Sequence, residues 1–222
     1  MLYQMIPFML MAISTCDRQI MTRKQKLPII NVQNQVAKSR LFSIEQLDLT
    51  FSNGEQRQYE RMKGGGRGAV MIVPMLDEHT MLLVREYCAG THSYELGFPK
   101  GLIDEGEQAI EAANRELKEE VGFGAQQLTP IRKVMMAPAF FNAKMTIFLA
   151  QHLYEEKLLG DEPEALEIVP WQLDNYLALL DEPDFNEARS IAALMLIRDH
   201  FANNLPKSSI NQKPNNHLRD SL

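Results

Sequence analysis

Between Gly101 and Phe123 the chain reads GLIDEGEQAIEAANRELKEEVGF, a stretch rich in carboxylates and bounded by glycines. From Glu107 to Gly122 it carries no proline and no internal glycine, which predicts a helix closed by a left-handed glycine cap. On that helix Ile110, Ala112 or Ala113, Leu117 and Val121 recur three and four apart and form the stripe expected to face a core. Glu111, Arg115 and Glu119 form a second stripe, in which the guanidinium can pair with a carboxylate on either side. The third stripe holds Glu116 and Glu120, with Glu119 beside them and no lysine on that face. Like charges at this spacing cost an isolated helix roughly 0.2–0.5 kcal/mol. Crowded carboxylate oxygens without basic partners are hard ligands suited to Mg2+ or Mn2+, with water and substrate phosphate completing the coordination.

Gly101, Glu107, Arg115, Glu116, Leu117, Glu119, Glu120, Gly122 and Phe123 resemble the Nudix box at every defined position. The wider similarity runs from about Leu27 to Phe201 and is nearest to the ADP-ribose pyrophosphatase branch of that family. The resemblance implies a cytoplasmic enzyme that cleaves the diphosphate of ADP-linked compounds (ADP-ribose, NADH, diadenosine polyphosphates) with two or more Mg2+ ions and releases AMP. It implies an α/β/α sandwich with a mixed sheet, preceded by an N-terminal β-hairpin region. It gives Glu116, Glu119, Glu120 and the backbone carbonyl of Lys100 as metal ligands, and Gly101, Glu107, Arg115 and Gly122 as structural members of the box. Glu119 and Glu120 are also candidates for the chemistry itself.

Hydrolysis needs a group to take a proton from water or a metal to make hydroxide. By resemblance the carboxylate comes from the acidic loop Tyr154–Leu166, which offers Glu162 and Glu164. Spacing does not choose between them, and a solvated acidic loop is the bland alternative. Arg40, Tyr59 and Arg61 stand where such enzymes gather contacts to adenine and phosphates, against the alternative of ordinary strand surface; Arg85, at the end of a buried strand, is a candidate phosphate contact against the same alternative, and Glu95 is a candidate to assist. Two other functions remain open: hydrolysis of a different nucleoside diphosphate sugar, and ADP-ribose sensing. A third, prenyl diphosphate isomerisation, wants a cysteine motif that Cys88 lacks.

The elements that must hold these residues follow a simple order. Leu41–Phe51 alternates apolar and polar, Asn53-Gly54 is a hairpin turn, and Glu55–Met62 returns. In this branch of the family the N-terminal sheet crosses to a second subunit, so a homodimer is implied. The glycine-rich run Gly64–Gly68 lacks the lysine of a phosphate cradle and reads as a connection. Ala69–Leu76 and Thr80–Tyr87 are buried strands, Tyr94–Lys100 is a short strand feeding the box, and the Lys100 side chain is left free to meet phosphate or solvent. Leu128–Met136, Met145–Leu153 and Glu167–Trp171 are further strands. Trp171–Leu180 and Asn186–Phe201 are amphipathic helices, the second with Ile191, Leu194, Met195 and Ile197 inward. The domain plan is therefore an extension over 1–20, N-terminal strands over 27–62, the main domain over 63–202 and a disordered tail over 203–222.

Composition agrees. A chain of 222 residues can bury a sizeable core. A net charge of −6 and a pI near 5.4 argue against a nucleic-acid surface. Two cysteines, Cys16 and Cys88, make no disulfide framework and point to a reducing compartment. Met1–Ser14 is apolar but too short to cross a bilayer and lacks the basic start of a signal peptide, so initiation at Met21 is the expectation.

Overall fold

Strand β4 (Ala69–Pro74) and strand β5 (Thr80–Cys88) are almost wholly buried, and their alternating side chains build two cores on opposite faces. Val70 and Ile72 of β4, with Leu82 and Val84 of β5, pack on one side against Ala112, Ala113, Leu117 and Val121. Met71, Val73, Met81 and Leu83 point the other way, against Leu179, Phe185, Ala193, Leu194 and Ile197. Each valine, leucine, isoleucine, phenylalanine or methionine among them contributes roughly 1.5–3 kcal/mol when fully buried. Strands of period two, covered on both faces by helices, produce the α/β/α sandwich.

The computed structural model describes residues 25–204. The expected extension over 1–20, the start at Met21, Cys16 and the tail from 205 lie outside the described residues. Asn203 and Asn204, expected in the tail, continue the last helix instead.

The described chain divides into two compact units, one of residues up to 34 with 46–59, the other of 35–45 with 60 onward. Strands β1 (Ile29–Lys38), β2 (Ser43–Thr50) and β3 (Gln56–Met62) contribute to both. In the smaller unit the turn after β2 closes as expected. Gly54 adopts φ +87°, its N–H donates to the Phe51 carbonyl at 2.9 Å, and the Asn53 side chain accepts from the Glu55 N–H at 3.1 Å. The Phe51 and Tyr59 rings stand 6.3 Å apart. β1 has no counterpart in the predicted hairpin, because Asn31, Gln33, Asn34 and Gln35 interrupt its apolar pattern.

In the larger unit β4 pairs in parallel with β9 (Phe141–Glu155), and β7 (Lys100–Leu102) lies antiparallel on the other edge of β4. β8 (Phe123–Ala137) runs antiparallel along β9, with irregularities at Pro130/Arg132 and Met135/Ala137. Met62 pairs with Phe141. β5 leaves β4 for a separate antiparallel sheet, between β6 (Ser93–Gly97) and β10 (Glu167–Gln172). Pro170 is accommodated because β10 is an edge strand.

Among the described residues three α-helices complete the layers: α1 (Ala109–Glu120), α2 (Tyr176–Asp181) and α3 (Ala188–Asn204). The predicted helix over Trp171–Leu180 begins later, since Trp171 belongs to β10 opposite Met81 and a 3-10 turn, Leu173–Asn175, precedes α2. Two inward assignments are corrected. Ile110, on the first turn of α1, is 45% exposed, and Met195 is 38% exposed while Ala193 takes the buried position. Among the described residues no helix is long and apolar enough to cross a membrane.

Candidate active site

β6 delivers the chain through Phe98 and Pro99 into β7, and a short loop then leads to α1. Gly106, at φ +84°, makes the turn that a side chain would strain. Asp104 donates its N–H to Glu107 Oε2 at 3.0 Å, and Gln108 donates its N–H to Glu111 Oε2 at 2.9 Å. Glu111 therefore completes a capping box at the helix start. That corrects the expected ion-pair stripe, because the carboxylate facing Arg115 from upstream is Glu107 rather than Glu111. Gly122, at φ +83°, follows the last turn in the left-handed cap the sequence predicts.

Arg115 organises the acidic face. Its Nε and Nη2 donate to the two oxygens of Glu107 at 2.9 Å each, and Nη2 also donates to the Leu102 carbonyl at 3.0 Å. Its Nη1 donates to Glu116 Oε1 at 2.8 Å and Glu119 Oε2 at 2.9 Å. The hydrogen bond to Glu107 comes first in raising the guanidinium pKa, and the same bond comes first in holding Glu107 below the usual carboxylate range.

Glu116 and Glu120 are each only 8% exposed. Burial pushes both carboxyls up, Glu120 to about 8. Against burial, Glu120 has the Lys100 charge and the Lys100 backbone N–H, which donates to Glu120 Oε2 at 3.1 Å. The Lys100 ammonium is not free, as the sequence had suggested; Nζ lies 2.5 Å from Glu86 Oε2. Gly101 is required by close approach: a Cβ there would stand 2.0 Å from Glu116 Oε1.

The acidic loop after β9 closes over this face. The Glu156 N–H donates to the Gly122 carbonyl at 3.0 Å and the Leu158 N–H to the Lys118 carbonyl at 3.2 Å. Lys118 Nζ reaches Glu156 Oε2 at 3.0 Å and lies 5.7 Å over the Tyr154 ring. A cavity of about 290 Å³ remains between loop and helix, lined among others by Glu119, Glu120, Lys157, Glu162 and Glu164. Glu162 Oε2 packs so close to Gly160 that a Cβ there would be 2.2 Å away, and the same Cβ would stand 3.7 Å from Glu119 Cβ. Its charge helps raise Glu116. Glu164 instead accepts the Tyr94 hydroxyl at Oε1.

Models of two families match the chain: a NudE-type Nudix hydrolase N-terminal domain over residues 28–61 and a NUDIX domain over residues 66–194. The chain belongs to the Nudix hydrolase family. Its Nudix relatives include the ADP compounds hydrolase NudE of Escherichia coli (strain K12), 59% identical over 79% of this chain and 93% of that protein. The ADP-ribose pyrophosphatase of Bacillus subtilis (strain 168) is 28% identical over 75% of this chain and 92% of its own length. A crystal structure of ADP compounds hydrolase superposes with TM-score 0.77 at 56% identity, over 81% of this chain and 96% of that one. Nudix hydrolases generally use divalent metal ions.

The donor set fits such an ion chemically: oxygen ligands only, two of them buried, and one carboxyl that is protonated near neutral pH when no cation stands beside it. Among the described residues no three acidic, histidine or cysteine side chains converge as a ready-made metal cage. Arg115 Nη1 draws Glu116 and Glu119 together, while Glu120 turns to the Lys100 N–H.

The expected substrate contacts are distributed more widely. Arg61 donates through Nε and Nη2 to Glu45 Oε2, at 3.1 and 3.0 Å. Arg85 pairs with Glu167 at 2.9 Å and with Asp184. Arg40 is exposed between β1 and β2, and Tyr59 is exposed in the smaller unit. Glu95 accepts the Ser93 hydroxyl at 2.6 Å on Oε1, and its Oε2 is buried with no hydrogen-bond partner. The sequence missed Tyr94, Lys118 and Glu86 as residues of this neighbourhood, since each comes from a different strand or helix and none carries a spacing signal.

Proposed function

We propose that this chain is a pyrophosphohydrolase of ADP-linked compounds, splitting the diphosphate of ADP-ribose, NADH or diadenosine polyphosphates and releasing AMP. The observation that carries this reading is the buried pair Glu116 and Glu120 beside a glycine whose Cβ would occupy the place of the Glu116 carboxylate. The E. coli relative, named for ADP compounds and matched over nearly its whole length, supplies the substrate class.

Glu116, Glu119, Glu120 and the Lys100 carbonyl would hold two or more Mg2+ ions, with Mn2+ as a substitute. Bound there, the ions polarise phosphoryl oxygens and lower the pKa of water. Arg115 keeps Glu116 and Glu119 oriented, and the Lys100 N–H fixes Glu120. A carboxylate among Glu119, Glu162 and Glu164 receives the proton of the attacking water. The unpartnered Glu95 Oε2 is an acceptor for a substrate hydroxyl. Arg40, Tyr59, Arg61 and Arg85 are the remaining candidates for nucleotide contact, Arg61 and Arg85 by exchanging carboxylate partners for phosphate.

The protein acts as a homodimer in the cytoplasm. β1 supports the first point, exposing Ile29, Ile30, Val32 and Val36 at 42–59% on a strand fully open to solvent. The free thiol of Cys88 suits a reducing compartment. The deciding experiment is incubation with Mg2+ and ADP-ribose, NADH or diadenosine triphosphate, followed by assay for AMP. If all three substrates survive intact, the substrate assignment is wrong.

A further inference from the structure

The far end of the β5–β6 hairpin carries three rings outside the Nudix box. Tyr87 and Tyr94 are register partners, and their rings meet edge to face with centroids 5.8 Å apart. His92, in the left-handed region at φ 55°, brings its Nδ1 within 2.8 Å of the Tyr87 hydroxyl and sets its ring edge-on to Tyr87. Tyr94 is thus braced from the side although it is 52% exposed. Its hydroxyl donates to Glu164 Oε1, linking β6 to the end of the acidic loop. A hydroxyl donating to a carboxylate is a strong class of hydrogen bond.

The same loop is fixed at its start, by the bonds of Glu156 and Leu158 to Gly122 and Lys118. Glu162 lies between these two attachments, with its Oε2 over Gly160, and lines the same cavity as Glu119 and Glu120. Its charge acts on buried Glu116, whereas Glu164 is engaged by the tyrosine.

We propose that Tyr94 is a positioning residue: by holding Glu164 it sets the acidic loop so that Glu162, rather than Glu164, is presented to the Glu116, Glu119 and Glu120 face. This rests on the hydrolase reading above and assigns the two loop glutamates different work. Glu164 is an anchor that needs only an acceptor oxygen. Glu162 needs its charge. An exposed hydrogen bond adds little to global stability, so loss of the tether acts on the loop and leaves the fold intact.

Five variants test this. Tyr94→Phe keeps the ring packing and removes the donor. It lowers kcat by about tenfold, as a slightly misplaced group does, with KM changed less than about twofold. Glu164→Ala matches it, the double variant is no slower than either single, and Glu164→Gln, which retains an acceptor, recovers most of the loss. Glu162→Gln falls by about a hundredfold or more. Hydrogen exchange of the 157–166 amides quickens in Tyr94→Phe while Tm holds. Full kcat or unchanged loop exchange in Tyr94→Phe overturns the proposal. So do multiplying losses in the double variant, or Glu164→Gln proving as damaged as Glu164→Ala. If the wild type cleaves no ADP-linked compound, the substrate reading fails separately, and the exchange measurement still decides the tether.

Discussion

Arg115 grips Glu107 through two parallel donors, Nε to Oε1 and Nη2 to Oε2, both at 2.9 Å. A planar guanidinium alone can do this while its third nitrogen spans two further carboxylates. Arg115→Lys keeps the charge and loses the fork. It is expected to lower stability by roughly 1–3 kcal/mol and to reduce turnover more than KM, read by denaturant unfolding and steady-state kinetics. Wild-type values for both would show that the fork contributes nothing.

Gly101→Ala inserts a methyl group 2.0 Å from the Glu116 carboxylate. The atoms nearest the added methyl group all belong to that carboxylate, so Glu116 must move. Turnover is expected to fall by about a hundredfold, in line with an ångström-scale displacement of a catalytic group. A variant that retains most of its rate places Glu116 outside the chemistry.

Glu120→Gln preserves the shape of a buried carboxyl whose pKa is about 8 and removes its ability to ionise beside a cation. Most cation-dependent turnover is lost and the circular dichroism spectrum is kept. Normal turnover would make Glu120 dispensable.

The same carboxyl gives the metal-free protein a pH signature. Its folded pKa is raised above the ordinary 4.5, so its favourable contribution is complete below about 4.5 and is lost as pH rises through about 8. In chelator, Tm is expected to decline across that window, and Glu120→Gln is expected to flatten the decline. Parallel curves for the two proteins would refute this assignment. Glu107, shifted the other way, contributes above its ordinary value and is lost on the acid side, so the two effects separate along the pH axis.

Glu111→Ala breaks the capping box and leaves the Gln108 N–H unsatisfied. The expected cost is about 0.5–2 kcal/mol of stability with kcat unchanged, measured by urea unfolding and activity. A fall in kcat at constant stability would mean that Glu111 touches the site.

Much of this was legible from local order. The helix, its glycine cap, the Asn53-Gly54 turn and the strands β4 and β5 follow from periods and turn residues that act within a few positions. Ile110 and Met195 depart from the expected stripes because a helical repeat gives a face without saying which of its positions another layer covers. β1 was missed because its amides mask the alternation. Glu107 replaced Glu111 as the partner of Arg115 because the loop folds back on the helix, which spacing along a straight helix cannot express.

By itself the sequence determined the chemistry available: a carboxylate-rich helix face, a glycine before it, and an acidic loop far along the chain. Only the tertiary structure decided how those parts are used. Burial between sheet and helix raises Glu120, chain reversal brings Glu107 to Arg115, and strand β6 sets Tyr94 against Glu164. Each is a contact between residues distant in sequence, and its energy depends on solvent exclusion and geometry that exist only once the layers have packed.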